Sequence, residues 1–301
     1  MADQIEAWRI QQYRDRIQRS LQYIGGKFRK AVTFDGGYSG KAARPVVEIG
    51  QTRARKITER KGDSPTMDVP MGGRWIYPVD YEWGDLIDDV DRVRLGIQPD
   101  GEFDKAGRNA MAIAEDTEII ASMFATAKTG EDGSVSTVFP AGNLVDQNTG
   151  GTNSGMNHEK IKAVIKFFMG KYVDIAMEQI WMVITEEEWF DLFGQNITVS
   201  ADYASRGESA INTGNLPNLY GVNFIPVAKA FLNEFGYYDG SHLTTLPAWV
   251  KSGVHIGVWQ DLVVKVGPDA AKKFNTRVYM RETFGATRLY ENKVVKVLTY
   301  H

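Results

Sequence analysis

Trp75-Ile76-Tyr77-Pro78-Val79-Asp80-Tyr81-Glu82-Trp83 sets a large side chain at every second position. Period two marks a strand and puts Trp75, Tyr77, Val79, Tyr81 and Trp83 on one face. Pro78 cannot donate to a ladder, so the segment is expected at a sheet edge or a strand end. Its partner arm precedes it. Residues 46–60 read as extended, with Val46, Val47, Ile49 and Ile57 among charges, and Lys61-Gly62-Asp63-Ser64-Pro65 supplies the turn. This first arm carries Arg53, Arg55, Lys56, Arg60 and Lys61 and little apolar area. A lone two-stranded ribbon is marginal in water. Residues 46–83 are therefore expected as an extended hairpin that orders on a neighbouring surface. The plainer alternative is a sheet edge protected by its own charges.

On the N-terminal side, Ile10, Tyr13, Ile17, Leu21 and Ile24 recur at three- and four-residue steps. They predict a helix over 4–24, closed by Gly25-Gly26. Residues 1–30 hold seven basic and three acidic side chains, a local net charge of +4. Arg9, Arg14, Arg16 and Arg19 can face nucleic acid or an acidic protein, and equally can be a solvated helix face. Residues 33–45 are Gly-rich and loop-like.

On the C-terminal side, 85–95 reads as a short helix and about 100–127 as one long amphipathic helix, roughly 40 Å at 1.5 Å per residue. Its expected buried stripe is Ala106, Ala110, Ile113, Ala114, Thr117, Ile120, Ala121 and Phe124. Residues 129–155 read as a loop with a short strand near Val135. A compact α/β unit is expected over 156–250: a helix capped by Asn157, a buried strand over 179–184, then a Thr185/Glu188 capping box opening a further helix. Val254, Ile256, Val258, Leu262, Val264 and Val266 all occupy even positions, predicting a long half-buried strand bent near Gln260-Asp261. Residues 276–290 and 293–299 read as a pair of strands around Glu291-Asn292-Lys293.

Chemistry-bearing motifs fail one by one. The absence of cysteine excludes disulfides, thiolate metal sites and cysteine nucleophiles. His158-Glu159-Lys160-Ile161-Lys162 lacks the second histidine of a helical zinc site, and Gly36-Gly37-Tyr38-Ser39-Gly40-Lys41 lacks the spacing and hydroxyl of a phosphate loop. The four histidines are scattered. Asp85, Asp88 and Asp89 would share a helix face, either as a solvated patch, as a cation site, or as a dock for the basic hairpin of another copy. A net charge of −3 argues against a whole-molecule polyanion binder. No apolar run approaches the roughly 20 residues of a membrane span.

The order of parts resembles the tailed-bacteriophage major capsid proteins, whose fold is shared by the herpesvirus capsid floor and encapsulin shells. Thr283-Phe284-Gly285-Ala286-Thr287-Arg288-Leu289 followed by Val294-Val295-Lys296-Val297 looks like the closing strands of such proteins. The resemblance implies an α+β fold of phage major-capsid type. In it, 1–45 is an N-terminal arm and 46–83 an extended β-hairpin loop. Residues 84–155 with 251–301 make a peripheral domain carrying the spine helix and closing strands, and 156–250 an axial α/β domain. The function implied is self-assembly into pentamers and hexamers of an icosahedral head enclosing double-stranded DNA. Implied partners are further copies of the chain, a separate scaffolding protein, a portal, a decoration protein and DNA held without sequence preference. No cofactor, metal, catalytic residue or membrane is implied, and assembly would occur in the host cytoplasm. Arg53, Arg55, Lys56, Arg60, Lys61, Trp75, Tyr77, Trp83, Asp85, Asp88 and Asp89 are the candidate subunit contacts. Arg9, Arg14, Arg16 and Arg19 are the candidates for facing DNA. An encapsulin-like compartment, a tail or adaptor subunit, and an enzyme whose site forms only in three dimensions are the alternatives.

Overall fold

Long strands and one long helix dominate the computed structural model, which describes residues 24–49, 52, 54–56, 71–87, 100–195, 218–240 and 242–301. The first sheet runs β1 (Thr33–Gly36), β12 (Val254–Asp269), β13 (Asn275–Arg288), β4 (Val79–Ile87). β12 and β13 pair antiparallel, with ladder irregularities between Val258 and Gln260 and between Gln260 and Val263, where the sequence predicted a bend. The helix α1 (Asp100–Phe124) lies on this sheet. Its 25 residues give a length of about 37 Å.

The second sheet has six strands, β7 (Leu144–Val145), β14 (Val294–Tyr300), β11 (Leu243–Val250), β8 (Ile180–Ile184), β10 (Val222–Pro226) and β9 (Asn218–Leu219). Around it pack α2 (His158–Gly170), α3 (Glu186–Phe193) and α4 (Lys229–Asn233). Asn157 accepts from the Lys160 amide at the start of α2, and the Thr185/Glu188 capping box opens α3, both as the sequence predicts. The third sheet, β2 (Ala43–Ile49), β3 (Met71–Ile76), β5 (Ala127–Thr129) and β6 (Val135–Thr137), is wholly antiparallel.

Five expectations change. The alternation over 75–83 does not hold to one face: the chain leaves the third sheet after Ile76 and enters the first at Val79. Ile76 is buried while Tyr77 and Val79 are exposed. The crossing passes over Gly285, where a Cβ would come within 2.1 Å of the Tyr77 carbonyl oxygen. Residues 85–87 finish β4 instead of starting a helix, so Asp85 shares no helical face with Asp88 and Asp89, which lie outside the described residues. On α1 the buried set is Gly107, Met111, Glu115, Asp116, Ile119, Ile120, Ser122 and Met123, rotated from the apolar stripe. β13 and β14 do not pair, because Glu291–Lys293 carries the chain from the first sheet to the second. Strand β14 thus completes the sheet built from 156–250, and no boundary at residue 250 separates the sheets.

The main core joins both faces of the second sheet to Phe28, Ala31 and Val32 of the N-terminal segment and to the end of α1. A smaller cluster of Ile87, Met111, Val278 and Met280 sits between α1 and the first sheet.

Candidate assembly surfaces

The N-terminal segment is fastened to α1 by side chains that accept its backbone amides. Asn109 accepts from Gly25, and the two Asp116 oxygens accept from Lys27 and Phe28, each at 3.1 Å. Gly25 is required there, since a Cβ would lie 2.3–2.4 Å from the helix backbone at Ala112 and Ile113. Phe28 is fully buried with its ring 5.9 Å from that of Trp249, whose indole donates to the Ala31 carbonyl. Arg29 reaches Glu115 at 3.5 Å. The chain that precedes residue 24 therefore departs from a fixed point on α1. Arg9, Arg14, Arg16 and Arg19 lie outside the described residues.

The base of the hairpin is held just as firmly. Trp75 is half-buried and donates its indole N–H to the Gly130 carbonyl at 2.9 Å, and Gly133 packs against both Trp75 and Tyr77. Arg74, 5% exposed, pairs with Glu291 at 2.5 Å. Trp83 is half-buried over Gly107 beside Met280, which makes it an anchor for its own subunit's helix. Farther out, Arg55 and Lys56 are exposed. Arg53, Arg60 and Lys61 fall outside the described residues. Asp85 is exposed, and its carboxylate accepts from the Leu86 amide. Of the candidate contacts, the structure brings Trp75 and Tyr77 together at the 130–133 turn. No cluster of three metal-ligating side chains exists among the described residues.

Two further apolar surfaces were not singled out by sequence. Met169, Tyr172 and Met177 protrude around the end of α2, and Phe190 from α3. Val266 and Phe274 protrude at the far end of β12 and β13, where Lys273 and Phe274 both hold positive φ, 55° and 61°. Such backbone in non-glycine residues costs free energy and concentrates at recognition elements.

Sequence reasoning also missed the buried ions. Arg288, fully buried, donates to the Met123 and Ala125 carbonyls at 2.8 Å and lies 3.7 Å from Glu291. Burial lowers its pKa, Glu291 raises it and Arg74 lowers it further. Burial would raise Glu188, yet donors from His301, Thr185 and Thr299 hold it below the ordinary carboxylate range. The even-position rule that found the β12 strand would have placed Glu282 and Arg288 inward with Val278, Met280 and Phe284.

A long helix on a long-stranded sheet, a separate six-stranded α/β sheet and a hairpin root beside them define the fold. The fold is similar to that of a chain from Mycobacterium phage Che8, at 14% identity, covering 95% of this chain and 96% of that one with a TM-score of 0.68. It is also similar to the capsid structure of cyanophage P-SCSP1u (13% identity, 96% and 92% coverage, TM-score 0.71) and to the cyanophage Pam1 capsid asymmetric unit (12%, 96% and 96%, 0.71). At such identities these likenesses speak for the fold. No curated protein sequence matches the chain. The model of the phage capsid protein family matches residues 5–300, and the chain belongs to that family. It is a phage major capsid protein: a structural component of the virion capsid, not an enzyme.

Proposed function

We propose that copies of this chain assemble into pentamers and hexamers that close an icosahedral head around double-stranded DNA. The hairpin over 46–83 drapes its outer part on an adjacent subunit. The observation that carries this reading is the contrast along the hairpin. Its base is pinned by Trp75 and Arg74, while Arg55 and Lys56 stand exposed. A charged ribbon of this kind gains order from a second surface. Asp85, exposed on β4, offers an acidic contact for it. Trp75 and Tyr77 would flank the contact, and Trp83 would set the position of α1 behind it. Arg9, Arg14, Arg16 and Arg19 would meet packaged DNA through phosphate contacts that weaken with salt. A separate scaffolding protein, a portal and a decoration protein are the partners this reading calls for, with assembly in the host cytoplasm before the head matures.

Electron microscopy of the purified chain, alone and co-produced with candidate scaffolding protein, tests the reading. Closed shells are expected from the natural sequence and their loss from the triple reversal Arg53→Glu, Arg55→Glu, Lys56→Glu. Undiminished shell yield from the triple variant would overturn the role given to the hairpin.

A further inference from the structure

The chain enters and leaves the hairpin across the first sheet, over a pair of glycines. Gly257 on β12 lies opposite Gly285 on β13 in the ladder. A Cβ on Gly257 would come within 2.5 Å of the Tyr38 ring, and Cβ atoms at the two positions would lie 3.3 and 3.4 Å from the buried Ile76 side chain. The missing side chains leave a trough. Tyr38 of the incoming stalk and Ile76-Tyr77 of the outgoing stalk are seated in it. The incoming stalk, residues 37–42, links β1 to β2. Gly37 and Gly40 hold positive φ, 82° and 89°, on either side of Tyr38, which lets so short a link turn down onto the sheet. The Gly37 and Tyr38 amides both donate to the Val258 carbonyl, at 3.0 and 3.3 Å, and the Trp259 indole donates to the Gly40 carbonyl at 3.1 Å. The Tyr38 ring is 5.2 Å from that of Trp259 and 6.2 Å from that of His255.

His255, 2% exposed, fixes the direction of the hydrogen bonds beneath the stalk. The Thr33 hydroxyl donates to the Val254 carbonyl at 2.9 Å, so it accepts from the Nδ1–H of His255 at 3.0 Å. Nε2 is then a bare acceptor, and the Tyr38 hydroxyl donates to it at 3.1 Å. Burial, then Asp35, raise the Tyr38 phenol, so it keeps that proton. Protonation of the ring turns Nε2 into a donor, and the Tyr38 proton must then leave it. We propose that this crossing is a latch: neutral His255 keeps Tyr38 in the glycine trough and fixes the root of the hairpin on the first sheet, and protonation of His255 frees the incoming stalk while Ile76 stays seated. Among the described residues Asp35 on β1 is the charge that acts on the ring, and β13 sets the uncharged Thr287 opposite it. Burial lowers His255, and Asp35 raises it by less. Lifting the stalk returns water to the ring and leaves Asp35 on β1, so the open latch binds the proton more readily than the closed one. The hold is therefore complete above the ordinary imidazole value of 6.5 and weakens as pH falls below it. The latch is a property of the subunit. Only its use in aiming the hairpin at a neighbour rests on the shell reading.

Hydrogen–deuterium exchange of the Gly37 and Tyr38 amides in unassembled subunits tests it, with rates corrected for intrinsic exchange. From pH 7.5 down to pH 5 the corrected rate should rise by a factor of about three to ten, within what one histidine can supply. In His255→Gln the rise should disappear. The histidine itself gives the reciprocal reading. In Tyr38→Ala, which empties the trough, the His255 titration followed by NMR should move up toward 6.5. A flat exchange profile in the natural chain overturns the latch, as does a rise that survives in folded His255→Gln, or a His255 titration unmoved by Tyr38→Ala. Should His255→Gln fail to fold, the natural profile and the Tyr38→Ala titration decide. Because both readings are made on free subunits, a chain that builds no shells still passes or fails them.

Discussion

Replacing Arg288 with methionine should cost this protein about as much as truncating a large apolar side chain in its core. The guanidinium is fully buried and closes the C-terminal end of α1, donating to the Met123 and Ala125 carbonyls at 2.8 Å and to Thr137 at 3.4 Å. Those helix-end carbonyls have no intrahelical partner. The same side chain also balances Glu291, which Arg74 approaches from the third sheet. Arg288→Met strips three acceptors and removes one of two cations from Glu291. Two good charged hydrogen bonds are worth about 1.5–3 kcal/mol each, and the buried methionine returns about 1–2 kcal/mol through packing. The net loss is about 2–4 kcal/mol, close to the range for breaking a buried pair from one side. For a chain of this length that lowers Tm by roughly 3–6 °C. Urea unfolding of unassembled subunits, followed by tryptophan fluorescence, measures the free energy, and calorimetry measures Tm. Adding Glu291→Gln should return nothing and cost more, since Arg74 still holds that carboxylate at 2.5 Å and would lose it. A loss below about 1 kcal/mol with an unchanged denaturant slope would refute the assignment of Arg288 as the joint between helix and sheets.

Two other perturbations read other parts of the molecule. Gly25→Ala forces a methyl into the backbone of α1 and should destabilise by about 1–3 kcal/mol, with proteolysis near residue 25 accelerated at temperatures where the body stays folded; unchanged proteolysis would count against the fixed arm root. Lys160, enclosed and donating to the Ser154 and Leu298 carbonyls, is lowered by burial to about 8, against opposing pulls from Asp191, Asp146 and Glu188. Native protein thus releases this proton near pH 8, while the unfolded chain keeps it to about 10.5, so natural protein should gain stability relative to Lys160→Met across that window. Parallel Tm profiles of the two proteins from pH 7.5 to 9.5 would show that Lys160 is not the group responsible.

What the sequence disclosed was local. The Asn157 cap, the Thr185/Glu188 box and the irregularity near Gln260 each depend on residues a few positions apart, and each is present. What it concealed depends on partners far along the chain. Alternation through 75–83 is the same whether one sheet or two receive it; Pro78 marked the strand end but not the change of sheet. Apolar periodicity in α1 found Ile120 and the residues packed beside the main core, Ile113, Ala114 and Phe124, and missed the opposite side, where Asp116 accepts from amides 88 and 89 positions away. Among the candidate contacts, Trp75 and Tyr77 lie at the hairpin base, and Trp83 turned inward because β4 joined β13.

The same long separations order the way the subunit must close. β1 can add to β12 only after β12 exists, and its register Thr33 to His255 spans 222 positions. The amides of Lys27 and Phe28 need a formed α1, and Phe28 needs Trp249 of β11. Loop-closure entropy disfavours such contacts until the distant elements are in place. The arm root is therefore expected to lock after the helix and both large sheets, and to be the first of these joints to open.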